Sequence, residues 1–429
     1  MHRENTYIDY IDSNIMPFTN FIEYPDRYPA LSIQAFDNQL YEELRTVSKQ
    51  LFDVFTKVCK ILQKNEHNIL KDIGISENLI NYMNIPNVFS LPTWLSRLDY
   101  VLDKDYNLKF VEINADTPCA FVEAYYGNQV ACNYFNKVNP NESEYANLVD
   151  FMHNLNSRLI TSVDLKCSSF SKSRPVLFSC FDDYMEDLGT TRFLMEAMNK
   201  ADTNKIGTIF ESFYNLWIDD DGLILSNGIR PQAIYRMHPL ELLANEMDIT
   251  GNFKLGKYFL DNYAKGKFVM LNPPESIILQ VKSFQTIVWQ LANIENSILN
   301  QQEKATVNKY MIPTFTNKDD VVTTIDKLIC KPIYGREGLK IQIKNTKTSN
   351  VIEETDAHDH VPTVNDDDCI YQEYIEQPLF KVDTDSGHHD GYITLSCFML
   401  ANKPSAVYGR FSLDSICSTD AYWLPLCNK

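Results

Sequence analysis

Residues 97–124 read RLDYVLDKDYNLKFVEINADTPCAFVEA. Two segments that alternate apolar and polar residues flank a polar break, which is the pattern of a β-hairpin. If residues 104–107 form a four-residue loop, Asp103 pairs with Leu108 and the register is fixed. One face of the hairpin then carries an apolar set that we expect to be buried: Leu98, Tyr100, Leu102, Val111 and Ile113.

The other face of the predicted hairpin gathers polar groups of both charges. The same register sets Asp99 opposite Glu112 and Arg97 opposite Asn114. Carboxylate and amide oxygens are the ligands that Mg²⁺ takes when it is shared with phosphate groups. We therefore predict a metal site formed by Asp99, Glu112 and Asn114. The alternative is a solvated hairpin in which these charges meet by chance.

Length and charge limit the classes of function. With 429 residues the chain is longer than one ordinary core requires, so two or three domains are expected. Acidic residues number 57 against 39 basic ones, a net charge of −18, which argues against binding to nucleic acid or to an anionic membrane. No stretch approaches the ~18 consecutive apolar residues of a membrane helix.

Cysteine usage and the first residues predict an intracellular protein. The ten cysteines are scattered without a C-x-x-C pair, and several lie in apolar runs, so we expect buried thiols in a reducing cytoplasm. Residues 1–14, MHRENTYIDYIDSN, contain neither a basic nor an apolar region of a secretory signal, so no leader is expected.

Periodicity predicts an α/β first half. Apolar residues at helical spacing predict a helix over 41–62, and a second helix is expected from Phe121 to Phe135. Between residues 174 and 237, three short apolar strands alternate with a helix, which is typical of a parallel β-α-β arrangement. We predict an N-terminal helical segment over 1–90 and an α/β region over 91–250.

The second half, residues 251–429, reads as antiparallel and β-rich. We expect a helix near 283–299, two strands flanking a glycine-containing loop in KLICKPIYGREGLKIQIKN, a strand CIYQEYIEQ, and a hairpin turning at Asn402–Pro404. The acidic, aperiodic segment 351–368 is interpreted as an exposed loop. His358 and His360 in that loop could bind a metal adventitiously, although a plain solvated loop is the simpler interpretation.

The glycine-containing loop is a candidate phosphate site. Lys331 ends an apolar strand, and Gly335 and Gly338 would let backbone N–H groups approach an anion, with Arg336 adding positive charge. The loop lacks the Walker pattern. Two strands that flank a flexible glycine-containing loop are instead suited to form a flap that folds over a triphosphate. A tight β-turn with surface charges is the alternative.

Two further segments are weaker nucleotide-binding candidates. Lys282 ends an apolar run at the start of a helix, where a surface lysine is the ordinary alternative. The strand from Tyr371 to Tyr374 resembles a hinge whose backbone could pair with an adenine edge.

Taken in order, these motifs resemble the synthetase half of the glutathionylspermidine synthetase family, a group of ATP-grasp ligases. The resemblance runs from about Pro92 to Tyr422 and covers most of the chain. The motifs that carry it are R-x-D at 97–99, E-x-N-A-D-T at 112–117 with Glu123 beyond, Glu186-Asp187, Y-R-M-H-P-L-E at 235–241, Lys282, K-P-I-Y-G-R-E-G at 331–338, Y-Q-E at 371–373 and Gly409-Arg410.

The resemblance implies a mixed α/β ATP-grasp fold with an α/β pre-ATP-grasp domain, with ATP and Mg²⁺ as cofactors. It also implies roles for individual residues. Asp99, Glu112 and Asn114 match its metal ligands; Lys282, Lys331, Arg336 and Gly338 match the phosphate site; Gln372, Glu373, Tyr374 and Ile375 match the adenine hinge; Arg97 and Arg410 match arginines near the γ-phosphate and the acyl phosphate; and Thr117, Cys119, Glu186 and Asp187 match substrate contacts.

The chain departs from the family at substrate positions. Members that make glutathionylspermidine carry hydroxyl residues where this chain has Cys119, Met237 and Leu242, so neither glutathione nor spermidine is assured as a substrate. Fewer than 100 residues precede Arg97, so we expect no hydrolase half like that of bifunctional members.

The activity implied is an ATP-dependent amide ligase that joins a small-molecule or peptide carboxylate to an amine. Two alternatives stay open: a nucleotide-binding protein without catalysis, and a kinase that forms an acyl phosphate but never passes on the acyl group.

Overall fold

The computed structural model describes residues 6–19, 26–65, 67–161, 174–202, 206–321, 326–336, 338–355 and 369–429. His358 and His360 lie outside these ranges. Within them the α-helices are α1 Asn38–Asn65, α2 His67–Asp72, α3 Glu77–Ile80, α4 Asn128–Tyr134, α5 Glu144–Thr161, α6 Met185–Ala201, α7 Leu240–Leu243, α8 Leu255–Ala264, α9 Ser276–Gln280, α10 Phe284–Asn293 and α11 Gln301–Tyr310.

The strands of the described residues form several sheets. In chain order they are β1 Gln34–Phe36, β2 Leu95–Leu102, β3 Leu108–Asn114, β4 Val176–Ser179, β5 Thr208–Phe210, β6 Trp217–Asp219, β7 Gly222–Ile224, β8 Ala233–Arg236, β9 Val269–Leu271, β10 Thr314–Phe315, β11 Lys327–Pro332, β12 Gln342–Asn345, β13 Val351–Glu354, β14 Cys369–Glu373, β15 Phe380–Thr384, β16 Gly387–Leu400, β17 Lys403–Ser412, β18 Tyr422–Trp423 and β19 Leu426–Asn428.

The predicted hairpin forms the edge of a six-stranded sheet. Its strands follow the order β18-β17-β16-β2-β3, with β15 paired to β16. The sheet therefore joins the 97–114 hairpin to the C-terminal hairpin, whose two strands were also predicted. Because β2 pairs with β16 antiparallel, residues about 300 positions apart in the chain share one face.

The hairpin register is confirmed at the polar rows and wrong at the turn. Asp99 lies opposite Glu112, but Leu102 rather than Asp103 pairs with Leu108. A bulge in β3 beside Asp99 and Tyr100 accounts for the one-residue difference. The bulge also turns Val111 toward the polar face, so Val111 does not join the buried apolar set as predicted.

The apolar face of the hairpin packs against α1. Leu98, Tyr100 and Ile113 belong to the same buried cluster as most apolar residues of that helix. The rings of Phe55 in α1 and Phe110 in β3 lie 5.2 Å apart. The helix predicted over 41–62 is confirmed and slightly longer, because its apolar stripe remains covered along its length.

A parallel sheet of order β5-β4-β8-β9 confirms the prediction for residues 174–237. Helix α6 follows β4 and packs on it. The carboxyl end of β8 carries Arg236, which is fully buried and donates to Asp116 beyond the hairpin. The predicted helix from Phe121 to Phe135 is also present and contains a π-helical turn over Glu123–Gly127.

The second half contributes the antiparallel sheet β10-β14-β11-β12-β13, as its sequence predicted. Two boundaries differ. The helix expected near 283–299 ends at Asn293, because Asn296 adopts a left-handed backbone and Asn300 caps the next helix. Residues 351–354 of the expected loop instead form β13, which pairs with β12 at the sheet edge.

Composition predicted that the cysteines are buried thiols. The nine cysteines of the described ranges are free thiols, and seven of them are buried, as predicted; Cys167 lies outside those ranges. Across the same ranges, no helix combines the length and apolar character that a membrane span requires. The division at residues 90 and 250 stays a prediction.

Candidate active site

A cleft lies between the polar face of the six-stranded sheet and the β11–β12 loop. Its lining includes a sheet wall formed by strand residues and a loop wall formed by residues of loops and helix ends. The sheet wall is Arg97, Asp99, Glu112, Asn114 and Arg410, and the loop wall is Thr117, Cys119, Asp187, Met237 and Pro239. Lys282, Lys331, Gly335, Arg336 and Gly338 also line the cleft.

The cleft is locally basic although the whole chain is acidic. Its lining contains five cationic side chains, Arg97, Lys282, Lys331, Arg336 and Arg410, against three carboxylates, Asp99, Glu112 and Asp187. A cleft with a surplus of positive charge attracts anions even when the net charge of the protein is −18.

Asp99 is the centre of the sheet wall. It is 1% exposed. Arg97 donates to its two oxygens, through Nε at 2.8 Å and through Nη2 at 2.9 Å. Arg410 reaches the same carboxylate from β17 at 2.9 Å, and the amide nitrogen of Asn114 donates to it at 3.1 Å. The guanidinium groups of Arg97 and Arg410 therefore lie side by side in the sheet wall.

Glu112 and the two predicted lysines form the second charged group. Lys282 Nζ lies 2.7 Å from Glu112 Oε2. Burial would raise the pKa of Glu112, but the charges of Lys282 and Lys331 lower that pKa to about 2. Lys282 is 5% exposed, so the surface-lysine alternative is wrong.

Lys331 is a buried cation that is near Glu112 but forms no ion pair with a described residue. Its side chain is 4% exposed, and it forms no ion pair or side-chain hydrogen bond with any described residue. Burial lowers the pKa of Lys331 to about 8, although the nearby Glu112 opposes this effect. Glu112 compensates this buried ammonium group only in part, because it is already paired with Lys282, so the site favours an additional anion from solution.

The β11–β12 loop lies across the cleft. Lys282 donates to the carbonyl oxygen of Gly335 at 2.7 Å. Arg336 donates through Nε to Glu241 at 2.7 Å and through Nη1 to Thr117 at 3.3 Å. Gly338 has φ +73° and packs so closely on the carbonyl of Cys417 that a Cβ would overlap it.

Side chains of the loop wall come from separated segments. Thr117 and Cys119 follow the hairpin, Asp187 lies in the first turn of α6, and Met237 and Pro239 follow β8. Glu186 is exposed and does not line the cleft, although its charge influences Cys119. Burial, reinforced by that charge and by Glu123 and Asp187, raises the pKa of Cys119 to about 11, so the thiol is neutral.

Of the four residues predicted to form the adenine hinge, only the last lines the cleft. Ile375 lines the cleft, together with apolar residues that sequence reasoning missed: Ile312, Ile329, Ile341 and Ile416. Gln372 points into the core instead, where its amide nitrogen donates to Thr314 at 2.8 Å. Glu373 and Tyr374 do not line the cleft, and the backbone N–H of Glu373 donates to Pro313.

Asp116, which belongs to the same motif as Thr117, is not part of the cleft. Its carboxylate accepts from Arg236, from Ser276 at 3.0 Å and from the backbone of Leu240 at 2.8 Å. The backbone N–H groups of Ala115 and Asp116 are held by Gln280. These contacts fix the segment that leads into the loop wall.

The sheet wall suits a divalent cation. The described residues contain no group of three or more His, Cys, Asp or Glu side chains placed to hold a metal ion, but Mg²⁺ needs only one or two carboxylates when phosphate and water supply its remaining ligands. Asp99, Glu112 and Asn114 offer two carboxylates and an amide on adjacent strands. Both oxygens of Asp99 already accept from neighbouring donors, and one oxygen of Glu112 is paired with Lys282. The residue types of the set fit a hard ion, which would share these oxygens with the cations that now bind them.

The sheets and the basic cleft define a mixed α/β protein of the ATP-grasp type with a pre-ATP-grasp region, which confirms the predicted fold class. The chain belongs to the glutathionylspermidine synthase pre-ATP-grasp family, whose model matches residues 18–428. Membership places it among glutathionylspermidine synthase-like ligases.

A solved structure shows a similar fold. The chain is similar to a glutathione synthetase-like effector from Globodera pallida, determined in its apo form, with a TM-score of 0.61 and 12% sequence identity over 99% of this chain and 95% of that one. At this identity the likeness establishes the fold alone.

Proposed function

We propose that this protein is an ATP- and Mg²⁺-dependent ligase that forms an amide bond between a carboxylate and an amine. The observation that carries the proposal is the basic cleft in which buried Lys331 forms no ion pair with a described residue, beside a wall of carboxylate and amide oxygens. Family membership supports the ligase class and the use of ATP.

The chemistry requires activation of the carboxylate. A carboxylate oxygen attacks the γ-phosphorus of ATP, the bond to the β-phosphate oxygen breaks, and ADP leaves. The amine nitrogen, in its neutral form, then attacks the carbonyl carbon of the acyl phosphate. Inorganic phosphate departs with the electron pair of the broken C–O bond, and the nitrogen gives up one proton to it. Phosphoryl transfer of this kind is catalysed mainly by positioning and by neutralising charge.

The chain supplies that neutralisation from several elements. Lys282 and Lys331 would bind phosphate oxygens, and Arg97 and Arg410 would stabilise the charge that develops between the carboxylate and the transferred group. Asp99, Glu112 and Asn114 would hold Mg²⁺, which when bound neutralises phosphate charge. Arg336 already contacts Thr117 and Glu241, so this arginine would link the loop to the substrate rather than act on phosphate alone.

The β11–β12 loop would protect the acyl phosphate from water. Water hydrolyses such an intermediate unless the site is closed during the reaction. The contact of Gly335 with Lys282 and that of Gly338 with Cys417 already hold the loop across the cleft. Asp187, and Glu186 beside it, would favour a cationic amine on the loop wall.

An ADP-release assay tests the proposal. The protein is incubated with Mg-ATP, with glutathione and spermidine first and then with libraries of carboxylates and amines, and mass spectrometry identifies any amide. Lys331→Ala should abolish release, whereas Lys403→Ala, which removes an exposed lysine at the start of β17, should not. Calorimetric binding of Mg-ATP without turnover on any pair would instead favour a nucleotide-binding protein without catalysis, and phosphate transfer without amide product would favour the acyl kinase.

A further inference from the structure

Glu123 is a buried carboxyl group that the proposed mechanism does not use. It is 2% exposed and begins the π-helical turn that follows Cys119. Its Oε1 accepts a hydrogen bond from the hydroxyl of Tyr28 at 2.9 Å. Its Oε2 is buried and has no hydrogen-bond partner among the described residues. A buried carboxyl oxygen without a partner is costly, so this position needs an explanation.

A second tyrosine connects Glu123 to the cleft. The hydroxyl groups of Tyr28 and Tyr408 are 2.9 Å apart. The ring of Tyr408 lies under the guanidinium group of Arg97, 5.9 Å from its centroid, which is within the range of a cation–π contact. The chain of contacts therefore runs from Glu123 through two tyrosines to a cation of the sheet wall.

Sheet register explains why Tyr408 reaches Arg97. Tyr408 in β17 lies opposite Ser396 in β16, and Ser396 lies opposite Asp99 in β2. Residues directly opposite one another share a face of the sheet, so Tyr408 shares the face of Asp99. Arg410 lies two residues further along β17 and shares that face as well.

The contacts of Arg97 come from three sides. Asp99 binds one edge of the guanidinium group, and the backbone carbonyl of Cys119 accepts from Nη1 at 3.2 Å. Tyr408 covers one face. Tyr408 differs from the other two contacts because its hydroxyl is linked through Tyr28 to the carboxyl group of Glu123, which lies outside the sheet wall.

We propose that Glu123, Tyr28 and Tyr408 form a positioning chain that fixes Arg97 against the transferred phosphoryl group and senses the anion bound there. The inference rests on the proposed function because it assigns Arg97 to that group. None of the three residues is a catalytic residue, since none lines the cleft and each acts through Arg97.

Electrostatics indicate that Glu123 changes charge near neutral pH. Burial raises the pKa of Glu123 to about 7, although its own backbone N–H, the hydroxyl of Tyr28 and the charge of Arg97 oppose this effect. Burial also raises the pKa values of Tyr28 and Tyr408 well above their ordinary value, and Cys119 stays a neutral thiol. Two further charges act on the tyrosines: Glu186 in α6 raises the pKa of Tyr28, and Arg410 in β17 lowers the pKa of Tyr408.

The charge of Arg97 determines how nucleotide binding changes the pKa of Glu123. The positive charge of Arg97 stabilises ionised Glu123, and an anion bound at Arg97 weakens that effect and raises the pKa of Glu123. Binding of Mg-ATP near pH 7 should therefore draw a fraction of a proton onto Glu123. Nucleotide affinity should fall as pH rises through about 7, because ionised Glu123 competes with the nucleotide for Arg97.

The experiment is Mg-ATP calorimetry at pH 7 in two buffers of different ionisation enthalpy, combined with ADP-release kinetics where a substrate pair is known. The variants are Glu123→Gln, Tyr28→Phe and Tyr408→Phe. The matched control is Tyr125→Phe, which removes a buried hydroxyl from the same π-helical turn, where it bonds Ser405 rather than the chain to Arg97. Thermal melting confirms that each variant is folded.

We expect the wild type and Tyr125→Phe to take up protons on binding Mg-ATP and Glu123→Gln to take up measurably fewer. Loss of one hydrogen bond in Tyr28→Phe or Tyr408→Phe should weaken Mg-ATP binding or lower kcat about three- to tenfold. Wild-type proton uptake in Glu123→Gln, together with Tyr28→Phe indistinguishable from Tyr125→Phe, would overturn the inference.

The two proposals fail separately. Wild-type protein that binds Mg-ATP but makes no amide with any pair removes the ligase proposal, and the proton-uptake comparison still judges the positioning chain. Normal turnover that is insensitive to Glu123→Gln and Tyr28→Phe removes the positioning chain and leaves the ligase proposal intact. Absence of Mg-ATP binding to the wild type overturns both.

Discussion

The two walls of the cleft differ in how they are built. The sheet wall lies on three strands whose alternation and pairing fix each side chain, and Arg97, Arg410 and Asn114 all donate to Asp99 within 3.1 Å. The loop wall comes from three separated segments and has no regular backbone pairing of its own. Its position depends on the buried contacts of Asp116 with Arg236. Chemistry that must be positioned closely is thus on strands, while substrate choice is left to loops.

The largest expected effect tests the support of the loop wall. Arg236→Met leaves Asp116 as a buried charge without its partner, which should destabilise the fold by about 3–5 kcal/mol. Urea unfolding measures the loss. Arg230→Met is the control, because its pair with Asp219 is solvent-exposed and should contribute little to stability. Equal stability of the two variants would show that the loop wall does not depend on Arg236.

The next effect tests the sheet wall. Glu112→Gln keeps the shape of the side chain but removes the charge that pairs with Lys282, and ADP release should fall ~10²–10³-fold. The control Glu42→Gln alters an exposed carboxylate on α1 and should leave the rate unchanged. Near wild-type turnover of Glu112→Gln with an intact fold would remove Glu112 from the mechanism.

A smaller effect is expected where the β11–β12 loop meets the cleft. Gly338 has a left-handed backbone and no space for a Cβ, so Gly338→Ala should shift the loop at a cost of about 1–2 kcal/mol or more. KM for ATP should rise roughly tenfold while the melting temperature changes little. Gly228→Ala, at a left-handed position with open space around it, controls for backbone strain alone. Equal KM values in the two variants would contradict a role for loop closure.

The smallest effect is a pH dependence. Burial lowers the pKa of Lys331 to about 8, so this lysine is a cation at pH 7 and loses its charge as pH rises to 9. Mg-ATP affinity should fall by up to about tenfold over that interval. Lys331→Arg keeps its charge throughout and should show a flatter profile in the same titration. A steep fall in both variants would assign the dependence to another group.

Much of the fold was predictable because its patterns are local. Alternation with period 2 in 97–114 was enough to predict the polar rows, and apolar spacing in 41–62 was enough for α1. The bulge that turns Val111 was not predictable, because the strand pattern contains no glycine or other signal for the extra residue. The strand Tyr371–Tyr374 resembled an adenine hinge, and that role of its backbone stays a prediction; the buried contact of the Gln372 amide with Thr314 was not predictable from the sequence.

The sequence by itself determined the fold class and the set of charged residues on the hairpin, since side-chain period and residue type are properties of neighbouring positions. Only the tertiary structure decided that Arg410 meets Asp99, that Lys282 meets Glu112 and that Arg336 meets Glu241. Those pairs join segments about 100 to 300 residues apart. Their proximity follows from strand order and packing, which depend on long-range contacts that no local pattern records.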